Sequence, residues 1–310
     1  GMSNTGVYAK NTSLGEKDSK VNVEITSNNE ELGNIGAIFD FKPTTADPIT
    51  TKLSVTATGK KIIGYSSNND IIIDADAKIT GDEAKGIKVD EGKKITFKKS
   101  LEISGKNAVG ISGDDVTLEG TINVKDKAIG IDGKNVNVKN KITLDTENTI
   151  GVRSYDGTVN VGENASIEFK NKKSKGYCLE KSTIKFTNPI TFSDNGENNN
   201  IYVLANEQSK VNIKDASINT LDNKEGLVGF YLEKESEISG DKLNVSKSAI
   251  GIYSGGEEKN KVHVKEVNSE DKNTVGIYSE KDTNINNINI SSSKSAVGIY
   301  GKDGKITFSG

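Results

Sequence analysis

The chain has 310 residues, 33% hydrophobic and 27% charged, with 32 Gly, 3 Pro, 1 Cys, 1 Met and no Trp, so its core is thin and no stretch is apolar enough for a membrane helix. With 41 Lys+Arg interspersed among 44 Asp+Glu, the net charge is -3 and there is no sustained basic block, which argues against nucleic acid as a partner. The single cysteine, Cys178, excludes an internal disulfide framework and a multi-cysteine metal site.

Along the chain, one short apolar segment with a central glycine keeps returning. It runs Thr5-Gly6-Val7-Tyr8, Ile35-Gly36, Ile63-Gly64, Lys85-Gly86-Ile87, Val109-Gly110-Ile111, Ile129-Gly130-Ile131, Ile150-Gly151-Val152 and Lys175-Gly176-Tyr177, then Val228-Gly229 and three near copies. The near copies are Ile250-Gly251-Ile252-Tyr253, Val275-Gly276-Ile277-Tyr278 and Val297-Gly298-Ile299-Tyr300. The long gap between Gly176 and Gly229 holds a glycine-free substitute, Ile201-Tyr202-Val203, and with that gap counted as two the mean repeat is about 24 residues. Two more alternating segments fall within a repeat, as in Ile95-Thr96-Phe97 and Leu101-Glu102-Ile103, or Val136-Asn137-Val138 and Ile142-Thr143-Leu144. Period-2 alternation of β-branched residues is strand chemistry, and the Gly, Asn, Asp and Lys clusters between are turn chemistry. Strands this short are stable only if each pairs with its equivalent one repeat on. The expected fold is therefore all-β, a parallel solenoid with three short strands per turn, forming one body over residues 1–310 without an internal domain boundary. At about 4.8 Å per rung, the repeats would stack to roughly 58 Å.

Alternation also assigns sides. If Val297 and Ile299 face inward, Gly298 and Tyr300 face outward, and so do Tyr253 and Tyr278; Ser112, Asp132 and Arg153 hold the equivalent position earlier in the chain. Ile111, Ile131, Ile252, Ile277 and Ile299 are then expected to stack in the core, one per rung. Tyr253, Tyr278 and Tyr300 form the candidate partner-binding strip, a run of stacked rings where aromatic residues are only 5% of the chain. Asn137, Asn160 and Asn212 form a looser outward column suited to side-chain hydrogen bonding. His263, between Val262 and Val264, is expected to point to solvent. The paired acids Asp74 with Asp76 and Asp114 with Asp115 read as a solvated face and a turn, and no Ser/His/Asp constellation or calcium-binding nonapeptide occurs, so neither catalytic residues, nor a metal site, nor a cofactor are expected. Three segments depart from the repeat and are candidate loops: Lys42–Pro48, Ser193–Asn200 and Ser254–Asn260.

The repeated V/I-G-I-Y preceded by Lys247-Ser248-Ala249 or Asn273-Thr274 resembles the passenger domains of fusobacterial autotransporter adhesins, over nearly the whole chain and most sharply from Gly226 to Tyr300. That resemblance implies a right-handed β-helix exported by type V secretion through a C-terminal β-barrel and displayed at the cell surface. It implies a non-catalytic adhesin whose partners are surface proteins or glycans of other bacteria or host cells. The chain opens within one repeat and closes within another at Ile306-Thr307-Phe308, as a monomeric piece of a longer passenger would. Two other readings stay open: a polysaccharide-active β-helix enzyme, lyase or hydrolase, and a structural spacer without a receptor site. Circular dichroism is expected to show a β-type spectrum with little helix, and small-angle scattering an elongated particle; a helical spectrum or a compact sphere would rule out the solenoid.

Overall fold

The computed structural model describes residues 5–10, 22–26, 34–40, 47–194, 199–220, 226–286 and 288–309. Among them there is no helix, and parallel strands stack as a β-solenoid with successive turns about 24 residues apart. The residues group into two compact units, Gly1–Arg153 with Asn164–Ser166, and Ser154–Glu163 with Ile167–Gly310.

In the first unit each turn has three faces. Thr5–Lys10, Ile35–Asp40, Ile63–Ser67 and Lys85–Val89 form one parallel stack, which continues into the first half of Val109–Leu118 and of Ile129–Val138. Ile49–Thr51, Ile71–Ile73 and Lys94–Phe97 form the second, continuing into the second half of the same two long strands. The third stack is Asn22–Thr26, Ser54–Thr58, Ala77–Thr80, Ser100–Ser104, Thr121–Lys125 and Lys141–Leu144. The second unit repeats the plan with the fused corner moved. Its glycine-bearing face is Lys175–Glu180, Ile201–Asn206, Val228–Leu232, Ile250–Ser254, Val275–Ser279 and Val297–Gly301. Here the other two faces run together, in the long strands Glu237–Ser246 and Asn260–Glu270.

The core columns follow the expected register. Ala37, Tyr65, Ile87, Ile111 and Ile131 stack fully buried in the first unit, and Tyr177, Val203, Phe230, Ile252 and Ile277 in the second. Removing each Ile, Val or Phe of these columns from water stabilises the fold by about 1.5–3 kcal/mol. Ile299 keeps its place in the column but is only half-buried, because no described rung covers it.

Strict alternation fails at one point, and the glycine explains it. Val275 and Val297 are half-exposed and exposed, whereas Gly276 and Ile277 are both buried, so the strand bends and two successive residues turn inward. A Cβ on Gly276 would lie 2.6 Å from the Gly298 carbonyl oxygen of the next rung and 2.9 Å from Val267 Cγ1 across the core. The same clash, 2.3–2.6 Å to the following rung's carbonyl, recurs at Gly36, Gly64, Gly86, Gly110 and Gly130. The glycines thus line the inside of a corner, and the outward assignment of Gly298 and inward assignment of Val297 are reversed.

Where the column lacks glycine, the rung enlarges. Tyr202 occupies the position between Gly176 and Gly229 and its ring enters the core, 3.9 Å from Phe192 in a stacked pair and 4.8 Å from Phe169 edge-on. Its hydroxyl donates to the Ser193 carbonyl at 2.8 Å, which satisfies the one polar group this brings inside.

The motif preceding each glycine strand has a backbone reason as well. The second residue before the strand takes left-handed φ in turn after turn: Lys61, Glu83, Asn107, Lys127, Asn148, Lys173, Asn199, Ser248, Asn273 and Ser295, with φ between 56° and 73°. The residue after it turns inward, as Ala84, Ala108, Ala128, Ala249 and Thr274 do. Lys-Ser-Ala and Asn-Thr are therefore corner sequences, a polar left-handed residue followed by a small buried one. Gly276→Ala, which adds one methyl group, is expected to cost about 1–3 kcal/mol, more than Val275→Ala, which removes two carbons from the outer face. Comparison of chemical unfolding midpoints checks it, and the reverse order would contradict an inward glycine.

Candidate functional site

The residue after the buried Ile of each glycine strand points outward, so the stack lines these residues up in a column. In the first unit the column is mixed and mostly polar: Tyr8, Ile38, Ser66, Lys88, Ser112, Asp132 and Arg153. Arg153 closes on Asp132 with two hydrogen bonds, Nε to Oδ1 at 3.0 Å and Nη2 to Oδ2 at 2.6 Å. In the second unit the column is apolar and then aromatic: Cys178, Leu204, Tyr231, Tyr253, Tyr278 and Tyr300.

Four rings stack one per rung. Centroids are 4.6 Å apart for Tyr231 and Tyr253, 4.9 Å for Tyr253 and Tyr278, and 5.2 Å for Tyr278 and Tyr300, with planes inclined 27°, 12° and 25°. The structure thus unites the three tyrosines singled out in the sequence and adds Tyr231. Its signal was present, since Val228-Gly229-Phe230-Tyr231 has the spacing of the later copies with Phe in place of Ile. Cys178 and Leu204 were hidden behind the missing glycine at Tyr202. Stacking covers ring faces, so the column presents ring edges and hydroxyls outward; Tyr300, 47% exposed, is the most open.

A charged margin runs beside it. Tyr253 donates its phenol hydrogen bond to Glu280 Oε2, and Lys302 Nζ meets Glu280 Oε1 at 3.0 Å. These two bonds, the tyrosine's first, hold the Glu280 carboxyl below the usual range. Burial, then the Glu280 hydrogen bond, pushes the Tyr253 phenol far up, and burial with the Glu233 carboxylate nearby pushes Tyr231 up to about 12. Gly255 opens room for this arrangement, since a Cβ there would lie 2.9 Å from the Tyr231 hydroxyl and 2.9 Å from a Tyr253 ring carbon.

The remaining candidates are occupied by cross-rung bonds. Asp74 pairs with Lys99 at 3.4 Å and Asp76 accepts from the Ser100 amide at 3.1 Å. Asp114 accepts from the Gly92 amide at 3.0 Å and pairs with Lys134 at 3.5 Å, while Asp115 accepts from Asn135 at 2.8 Å. His263 points outward, half-buried, with Nδ1 3.1 Å from the Asn286 amide nitrogen, in a column with Asn212 and Ser239. Ser239 donates to Asn212 at 2.9 Å, the side-chain ladder expected for that column; Asn137 and Asn160 hold outward positions in the first and second unit. Of the loops, residues 42–46 of the first and 195–198 of the second lie outside the described residues. In the third, Asn260 is fully buried and its amide donates to the carbonyls of Leu232 at 3.1 Å and Gly255 at 2.9 Å, which ties the loop down. Among the described residues no cluster of His, Cys, Asp or Glu is arranged to hold a metal ion.

One feature was invisible in the sequence. A buried polar staircase climbs the second unit, the amide of Ser182 donating to Ser209 Oγ at 3.1 Å, that of Ser209 to Ser236 Oγ at 3.2 Å, and that of Ser236 to Asn260 Oδ1 at 3.1 Å. It satisfies backbone donors at a corner where ladder bonds are interrupted.

No protein family, curated protein or solved structure matches this chain.

Because the Glu280 pKa is depressed in the fold, its contribution is present above the ordinary glutamate range and is lost as pH falls through the lowered value. Melting temperature followed from neutral to acid pH is expected to fall more steeply for the wild type than for Glu280→Gln; superimposable profiles would show that this carboxylate adds nothing.

Proposed function

We propose that this chain is the β-helical shaft and adhesive surface of a bacterial outer-membrane autotransporter adhesin, non-catalytic, secreted through a C-terminal β-barrel that lies outside these residues. It attaches the cell to surface proteins or glycans of other bacteria or host cells. The observation that carries the reading is the outward aromatic column Tyr231, Tyr253, Tyr278, Tyr300, on a scaffold whose other outward columns are mostly polar. Aromatic residues concentrated on an outer face are the surface that protein recognition uses most. The non-catalytic reading is supported by the acids, which bond to the next rung instead of converging on a cleft.

The stack geometry favours a second reading, the spacer. Four rings that cover one another stabilise the sheet, by about 0.5–1.5 kcal/mol per pair beyond the area buried, without needing a partner. Substitution separates the two. Tyr253→Ser, Tyr278→Ser and Tyr300→Ser together remove stack and hydroxyls, and Tyr→Phe at the same positions keeps the stack. For an adhesive column, attachment to partner bacteria or host cells falls at least tenfold in the serine variant while its β-type spectrum persists. A phenylalanine variant with lowered attachment and wild-type melting places the contact on the hydroxyls. A serine variant that attaches at the wild-type level leaves the column as a structural ladder only.

A further inference from the structure

We propose that the tyrosine column is a site of oxidative cross-linking, in which neighbouring rungs are joined by dityrosine bonds within one chain. This stands independently of the adhesin reading. Ring centroids 4.6–5.2 Å apart and planes within 27° of parallel place each phenol ring against the next. The solenoid repeats that juxtaposition in register for four rungs, where an unstructured chain would meet it only by chance.

The chemistry needs a one-electron oxidant system, hydrogen peroxide with a peroxidase. Each of two tyrosines gives up one electron and its phenol proton to form a phenoxyl radical. The radicals join through a new carbon–carbon bond between ring positions ortho to oxygen. The hydrogen on each joined carbon moves to the oxygen of its own ring, and both phenols are restored. The pair has lost two hydrogen atoms in all, and one peroxide accepts them to become two waters. Tyr300, 47% exposed, is the ring of the column most open to the oxidant, and Tyr231, Tyr253 and Tyr278, each half-buried, can also be oxidised directly. Glu280 supports the step at Tyr253, since it accepts that phenol's hydrogen bond and stands ready for its proton. The product staples adjacent turns together.

Each column tyrosine falls on its own tryptic peptide, at residues 225–234, 248–259, 273–281 and 295–302, so every link is readable by mass spectrometry. The dilute full chain is treated with peroxidase and hydrogen peroxide. Links are expected between adjacent rungs, Tyr231 with Tyr253, Tyr253 with Tyr278 and Tyr278 with Tyr300, in monomeric protein. Two double variants hold the tyrosine count and the ring stack constant. Tyr231→Phe with Tyr300→Phe leaves the adjacent pair Tyr253 and Tyr278 and should still form the intrachain link. Tyr253→Phe with Tyr300→Phe leaves Tyr231 and Tyr278 two rungs apart and should lose at least nine-tenths of it. Equal yields from the two variants, rung-skipping links at similar abundance, or dityrosine only between chains would each overturn the proposal.

Discussion

Everything in this protein depends on how closely one turn can approach the next at the glycine corner. A side chain there would strike the following rung's carbonyl at 2.3–2.6 Å, so the corner admits almost nothing larger than hydrogen. That contact sets where the strand bends and which neighbours turn in. It thereby decides that Ile277 is buried while Tyr278, one residue on, faces out. The one rung that breaks the rule shows its force: Tyr202 takes the glycine's place, and its ring needs an aromatic cluster of Phe169, Phe192 and their neighbours to receive it.

In-register parallel stacking has a second consequence, for polar chemistry. A residue that faces out has an equivalent directly above and below it, at about 4.8 Å, so its hydrogen bonds and ion pairs close along the column. Glu102, between Lys78 at 3.0 Å and Lys125 at 2.9 Å, is typical, and its carboxyl is held below the usual range first by the Lys125 hydrogen bond. Exposed pairs of this kind contribute little singly, about 0–1 kcal/mol each. Their effect is to leave the acids engaged with the scaffold.

The same stacking turns tyrosine into something different from an isolated surface aromatic. Rings that cover each other's faces lose the flat platform on which a sugar ring would pack, and keep edges and hydroxyls. Recognition by this column would therefore be polar at its tips and apolar at its flank, with Glu280 and Lys302 on the margin. The proposed adhesive surface and the structural ladder would both draw on one arrangement, a spacing that the backbone imposes.

The repeat, the strand chemistry, the parallel solenoid and the buried isoleucine column were legible in the sequence, because spacing and alternation are properties of the chain itself. So were the outward positions of Tyr253, Tyr278 and Tyr300, and the part played by Ile201-Tyr202-Val203 as a rung without glycine. Strict alternation misplaced Gly298 and Val297, since it assumes a straight strand and a bend puts two successive residues on one side. Tyr231 carried the spacing of the later copies, with Phe230 in place of Ile, whereas Leu204 and Cys178 joined the column only when backbone pairing fixed the register across the rung without glycine. The staircase from Ser182 to Asn260 was out of reach for the same reason: serine and asparagine at a turn read as solvated until the fold shows that their partners are amides one rung away. Pattern along the chain determines which residues can face which way; only the stacked turns decide what each of them meets.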